Sequence, residues 1–223
     1  MKLQVTLDTM SVEAGIARLR DVAQYLDIIE VGTPLLLDEG MAAISAVKEA
    51  FPHAEVLADT KIWHDGTRIA ASAFAHGADM VTVLGGTTDA EVEAVVECAE
   101  QHDGAVAADL SGLSGLMQRA SELEGMGVRY MIVPSGLRRV DVVDDDALHR
   151  NTRAMGGTPL ALVRNVMRGL AHTTEVAVVD NITLENIDQV VATNPGVLLV
   201  GRAILSADDP ADAAAEFRRR MGA

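Results

Sequence analysis

Four acidic residues, Asp8, Glu30, Asp59 and Asp109, each close a short β-rich apolar run. Alternation with a period of two puts Thr6 with Asp8, Ile28 with Glu30, Asp59 with Lys61 and Ala107 with Asp109 on common strand faces. A lone acidic residue at a strand end is most often a helix N-cap or a loop residue. Four of them converging on one mouth make a different object, because clustered carboxylates cannot all stay ionised without compensation. A lysine, a divalent cation or a shifted pKa is required. Lys61 supplies the first. Mg²⁺ suits the second, since it binds through one or two carboxylates and keeps open positions for water and substrate oxygens. The sequence has no Cys/His spacing that favours zinc.

Eight runs must position these groups: Leu3–Leu7, Asp27–Val31, Glu55–Ala58, Met80–Leu84, Ala105–Ala108, Arg129–Val133, Glu175–Val179 and Val197–Val200. Most stretches between them carry apolar residues at helical spacing, as in Val92, Val95, Val96 and Ala99, or Val163, Val166, Met167 and Leu170. Thr88 with Glu91 matches a capping box, and Thr158 before Pro159 fits an N-cap with proline in the first turn. Eight strands alternating with helices predict a single (β/α)₈ TIM barrel, one domain over residues 1–223, with functional groups at the C-terminal strand ends. An open doubly wound sheet is the alternative architecture. The longest interval holds the acidic segment Asp141 to Asp146, read as a solvated loop or helix start, or as a lid over the site.

Composition narrows the ligands. Thirty-three acidic against eighteen basic residues give a net charge of −15, which repels phosphate backbones and anionic lipid, so neither nucleic acid nor a membrane is an expected partner. An anionic substrate would need a local device: a metal, a lysine or a helix N-terminus. No apolar run reaches membrane-spanning length and the N-terminus lacks a signal-peptide pattern, so the expected location is cytoplasmic. The single cysteine, Cys98, falls in a helical stretch and is read as a thiol without chemistry.

Three segments carry a resemblance: Asp27-Ile28-Ile29-Glu30-Val31-Gly32-Thr33-Pro34, Val56-Leu57-Ala58-Asp59-Thr60-Lys61-Ile62 and Val81-Thr82-Val83-Leu84-Gly85, supported by Val200-Gly201-Arg202-Ala203-Ile204. Across nearly the whole chain the sequence resembles the 3-hexulose-6-phosphate synthase and 3-keto-L-gulonate-6-phosphate decarboxylase group of the orotidine 5′-phosphate decarboxylase superfamily. The resemblance implies that Glu30 and Asp59 bind Mg²⁺. It implies that Asp8, Asp109 and Thr33 contact substrate, that Lys61 with Asp59 supports an enediolate, and that Gly201 and Arg202 bind phosphate. It also implies a homodimer with shared active sites. The reaction expected is that of a carbon–carbon lyase, a decarboxylase or aldolase acting on a sugar phosphate or sugar acid.

Three departures qualify this reading. The group's Asp-x-Lys-x-x-Asp pattern reads Asp59-Thr60-Lys61-Ile62-Trp63-His64, with Asp65 one place late. His64 and Asp65 become the candidates for the displaced acid–base role, since an imidazole titrates near about 6.5, although a surface histidine fits equally well. Trp63 reads as a packing or dimer-interface residue rather than a substrate platform. The histidine expected after the sixth strand is Pro134, which cannot transfer a proton. The paired glycines expected after the seventh are Asp180-Asn181, which turns Asp180 into a substrate-facing candidate whose charge would oppose phosphate. Other readings therefore stand beside the lyase: an isomerase or epimerase, an enzyme for a non-phosphorylated substrate, or a non-catalytic metabolite-binding relative.

Overall fold

The computed structural model describes residues 1–8, 11–137, 160–171 and 173–222. Eight parallel strands close into a barrel in sequence order. They are β1 (Lys2–Leu7), β2 (Ile28–Val31), β3 (Glu55–Ile62), β4 (Met80–Leu84), β5 (Ala105–Asp109), β6 (Tyr130–Pro134), β7 (Glu175–Val179) and β8 (Val197–Leu199). Around them run α1 (Val12–Leu19), α2 (Thr33–Glu39), α3 (Ala42–Ala50), α4 (Gly66–Ala75), α5 (Asp89–Gln101), α6 (Leu116–Gly125), α7 (Ala161–Gly169), α8 (Ile187–Val191), α9 (Arg202–Leu205) and α10 (Pro210–Arg220). The alternation expected from the sequence is thus the observed (β/α)₈ barrel. Among the described residues no helix is long and apolar enough to cross a membrane.

Both faces of each strand are covered, which is why the runs read as nearly continuous apolar segments. Outward residues such as Val5, Ile29, Val56, Val81 and Val178 meet the helices in the main core. Inward ones, Ile28, Leu57, Met80, Ala107, Tyr130, Ile132, Ala177 and Val197, fill the barrel axis with alternating large and small side chains. Below that plug, Lys2 Nζ donates to Glu55 Oε1 at 3.0 Å and to the Tyr130 hydroxyl at 2.7 Å, which makes polar inward residues tolerable at the N-terminal end. The outer ring ends on α10, whose Phe217 is fully buried. Phe217→Ala is expected to cost about 3–5 kcal/mol of stability, measured as a lowered urea midpoint with an unchanged slope.

Local signals were partly realised. Thr88 caps α5, its hydroxyl accepting from Glu91 N–H at 3.3 Å. The reciprocal half of the box is absent, because the Glu91 carboxylate accepts instead from Gly66 N–H at 3.0 Å and so ties the start of α4 to α5. The expected helix start at Thr158-Pro159 and the acidic segment 141–146 lie outside the described residues. The largest departure is at β3, expected to end at Ala58 but continuing to Ile62 with a register shift against β4 between those residues. That extension carries Asp59 and Lys61 as strand residues. Lys61 itself sits in the left-handed region with φ 43°, a conformation that L residues adopt only where surrounding contacts hold it.

Candidate active site

Two of the carboxylates expected at the barrel mouth, Asp59 and Asp109, meet around Lys61, and Glu30 interacts with Asp59 and Asp8 beside them. Lys61 Nζ lies 3.1 Å from Asp59 Oδ2 and 3.0 Å from Asp109 Oδ2. Asp59 and Asp109 are almost completely buried, and Lys61 is half-buried between them. Each carboxylate has further donors. Thr33 Oγ1 donates to Asp59 Oδ2 at 2.8 Å and Thr82 Oγ1 to Asp59 Oδ1 at 2.9 Å. Ser111 N–H donates to Asp109 Oδ1 at 2.9 Å. Burial alone would raise the Asp109 carboxyl, but the Lys61 charge and the Ser111 bonds outweigh it and hold it below the ordinary range. Burial likewise works against the Lys61 ammonium, yet Asp59 and Asp109 hold its pKa above the usual value. Lys61 is therefore a fixed cation at neutral pH, a hydrogen-bond donor and not a base.

Glu30 lacks a comparable partner. It is 5% exposed, receives one hydrogen bond, from Gln4 Nε2 at 2.7 Å, and has Asp59 and Asp8 near enough to repel its charge. Burial first, and the Asp59 charge second, push its carboxyl up to about 8. Asp8 is exposed at the end of β1, where Thr6 Oγ1 donates to its Oδ1 at 3.0 Å. Close approach of the backbone makes this possible: a Cβ on Gly32 would stand 2.1 Å from Asp8 Oδ1 and 2.8 Å from the Leu7 carbonyl oxygen. Gly32→Ala is accordingly expected to displace the Asp8 carboxylate and lower kcat/KM by between about 10- and 100-fold, read by steady-state kinetics beside a crystal structure of the variant.

Among the described residues four carboxyl groups share the mouth with one ammonium, and Glu30 stays largely uncharged at neutral pH unless a cation reaches it. Glu30 and Asp59 could hold a hard divalent cation, since Glu30 needs a counter-charge and a two-carboxylate site with open positions is what Mg²⁺ accepts. Among the described residues no group of three His, Cys, Asp or Glu side chains is arranged for a metal, so water or substrate oxygens would complete the shell.

The anion-binding candidates lie on the neighbouring side. Gly201 precedes the single turn of α9 and packs against Thr6, where a Cβ would come within 3.1 Å of Thr6 Cγ2. Arg202 is exposed. Asp180 and Asn181 both take positive φ, 76° and 54°, the backbone path that a glycine pair adopts freely and that Asp and Asn tolerate best among other residues. Asn181 also ties two strand ends together, donating from Nδ2 to the Leu137 carbonyl at 2.9 Å, while Ser135 Oγ donates to the Asp180 carbonyl at 2.6 Å. Pro134 is the buried last residue of β6, and its side chain offers no proton-transfer group at that position.

Among the described residues, His64 and Asp65 make no hydrogen bond or ion pair with the carboxylates around Lys61. With Trp63 they form an exposed run after β3, and Asp65 is the left-handed N-cap of α4, 3.9 Å from Arg68. Trp63 is half-exposed and lies over Gly86. Cys98 is buried in α5, its thiol raised by desolvation. Two polar residues escaped the sequence reading, Gln4 and Thr82, both fully buried and pointing at carboxylates of the cluster. The two-residue alternation Lys2, Gln4, Thr6, Asp8 along β1, and the Thr inside an otherwise apolar β4, were the available signals.

Known proteins place this arrangement in context. A 3-hexulose-6-phosphate synthase of Staphylococcus epidermidis is 35% identical over 218 residues, spanning 98% of this chain and 97% of that one. The Bacillus subtilis 3-hexulose-6-phosphate synthase is 32% identical over 219 residues, 98% of each. Among solved structures, 3-hexulose-6-phosphate synthase from Salmonella typhimurium superposes with a TM-score of 0.86 at 32% identity, covering 99% of this chain and 98% of that one. The model of the orotidine 5′-phosphate decarboxylase / HUMPS family matches residues 1–217, and the chain belongs to that family.

Proposed function

We propose that this protein is a Mg²⁺-dependent carbon–carbon lyase of the aldolase type, joining formaldehyde to a pentulose 5-phosphate to give a 3-hexulose 6-phosphate, and running the reverse cleavage. The observation that carries the reading is Lys61 Nζ held 3.1 Å from Asp59 and 3.0 Å from Asp109 beside the buried Glu30. The synthase names borne by relatives at 32–35% identity support the substrate class.

The chemistry requires loss of a proton from C1 of the ketose, stabilisation of the resulting enediolate, formation of a bond from C1 to the formaldehyde carbon, and a proton gained by the formaldehyde oxygen. Lys61 suits the second step: a permanently charged ammonium in a partly buried site donates hydrogen bonds to an oxygen whose negative charge grows as the proton leaves. Asp59 and Asp109 fix its position and keep it protonated. Asp8 and Asp109 offer acceptors for substrate hydroxyls. Mg²⁺, held by Glu30 and Asp59, would supply Lewis-acid polarisation of the substrate oxygens. It would also offset the negative charge of the carboxylates that otherwise repel a phosphorylated ligand.

For the phosphate, the first amides of α9 and the Arg202 guanidinium are the natural ligands. Among the described residues the N–H groups of Gly201, Arg202 and Ala203 meet no backbone acceptor. Arg202→Ala is expected to raise KM for the phosphorylated ketose roughly tenfold with kcat changed little, the pattern of lost uniform binding. The exposed run Trp63-His64-Asp65 supports a homodimer in which His64 reaches the partner's mouth and serves the proton-transfer role that Pro134 cannot.

Purified protein with Mg²⁺, formaldehyde and ribulose 5-phosphate should consume both carbonyl compounds in equal amounts. Turnover of 3-keto-L-gulonate 6-phosphate with release of CO₂ instead would make it a decarboxylase, and no turnover of either would remove the lyase reading.

A further inference from the structure

The left-handed backbone at Lys61 is clamped by one residue of the neighbouring strand. Thr82, on the inward face of β4 and fully buried, touches three consecutive residues of the β3 bulge. Its hydroxyl accepts from Lys61 N–H at 2.8 Å and donates to Asp59 Oδ1 at 2.9 Å, and its carbonyl accepts from Thr60 Oγ1 at 2.9 Å. We propose that Thr82 is the positioning residue of the site: its hydroxyl fixes the Asp59 carboxylate and the Lys61 backbone relative to each other, and so sets where the Lys61 ammonium stands.

The chemistry of the side chain fits this task closely. A hydroxyl has one proton to give and lone pairs to receive, so a single oxygen atom joins the N–H donor to the carboxylate acceptor. The β-branch of threonine restricts χ1, which makes the link rigid. Between Met80 and Leu84 every other residue of β4 is apolar, so nothing else on that strand can replace the pair of bonds. Valine has the same shape and neither function. In Thr82→Val the Lys61 N–H loses its acceptor and one Asp59 oxygen loses its donor, both in a buried place where an unpaired polar group is costly. The bulge then has reason to relax toward ordinary strand geometry, moving Lys61 out of register with Asp109.

The proposal rests on the lyase reading for its kinetic arm only. Thr82→Val is expected to lower kcat about 100-fold, the size of effect that about 1 Å of misplacement produces, with KM for the sugar phosphate within about threefold of wild type. Thr82→Ser, which keeps the hydroxyl, should recover activity to within about fivefold of wild type. A merely structural role would give a parallel loss in the serine and valine variants or a loss confined to thermal stability. Crystal structures supply an arm independent of turnover: the valine variant should show Lys61 leaving positive φ and its Nζ more than 3.5 Å from at least one of Asp59 and Asp109. Should the valine variant not fold, Thr82→Ala takes its place in both arms. A valine or alanine variant with kcat within threefold of wild type, or with Lys61 unmoved in the crystal, overturns the proposal. If the wild type itself turns over no sugar phosphate, the lyase reading falls and the crystallographic arm alone decides the role of Thr82.

Discussion

Lys61→Ala is expected to lower kcat/KM for the aldol reaction by at least about 10³-fold, at the upper end of what removal of one preorganised donor costs. The reasoning is electrostatic. Lys61 is the one ammonium among Asp8, Glu30, Asp59 and Asp109, and it bonds two of them directly. Without it, among the described residues, a negative transition state would face Asp59 and Asp109 with no ammonium between them. The variant also changes how stability depends on pH. In the wild type the Asp109 pKa is depressed, so its contribution is present above the unfolded carboxylate range and lost as pH falls through the lower folded value. Removing Lys61 removes that contribution. Burial then drives the Asp109 carboxyl upward, and the variant should lose stability relative to wild type as pH rises through the carboxylate range toward neutrality. Steady-state kinetics and thermal unfolding between pH 4 and 8 measure both effects. Retention of more than about a tenth of wild-type kcat/KM would exclude Lys61 from the reacting centre. Lys61→Arg is not expected to rescue, because the planar guanidinium cannot occupy the same point between Asp59 and Asp109.

Much of this site is legible in the sequence, for a reason tied to the fold. A parallel barrel buries both faces of its strands, so a polar residue at an inward position stands out against an apolar run. Glu30, Asp59 and Asp109 were visible in that way. The same contrast hid the true length of β3: Asp59-Thr60-Lys61 reads as the end of a strand, yet side-chain bonds from Thr82 and Thr60 carry it on through a bulge to Ile62. Strand periodicity cannot anticipate a left-handed residue at Lys61, because that conformation is imposed by a neighbour on another strand. Gln4 and Thr82 were missed because neither bears charge, although both occupy inward positions and only the geometry shows that each faces a carboxylate. Asp180-Asn181 invited an electrostatic reading against phosphate. The backbone shows that the pair keeps the positive-φ path that glycines would take, so its first consequence is conformational. The acidic segment 141–146, read as loop or lid, lies outside the described residues.

Glu30→Gln tests the counter-charge on which the Mg²⁺ assignment depends, and its expected effect on catalysis equals that of losing Lys61, a fall in kcat/KM of at least about 10³-fold. Its effect on stability runs the other way. Glu30 is buried with Asp59 and Asp8 beside it, and its carboxyl is raised to about 8 against an unfolded value of 4.5. Between those values the folded protein binds the proton and the unfolded chain does not, so stability falls as pH rises from about 4.5 to 8. A divalent cation at Glu30 and Asp59 would stabilise the ionised form and should oppose that fall. Wild-type Tm in EDTA should therefore decline across this window, and addition of Mg²⁺ should raise Tm more at pH 8 than at pH 6. In Glu30→Gln the amide carries no charge to compensate. Its Tm in EDTA should exceed that of wild type at pH 8, and Mg²⁺ should shift it little. A wild-type Tm indifferent to Mg²⁺ at pH 8, with direct titration showing no binding of Mn²⁺, would remove the cation from Glu30 and leave Lys61 to stabilise the enediolate without a metal.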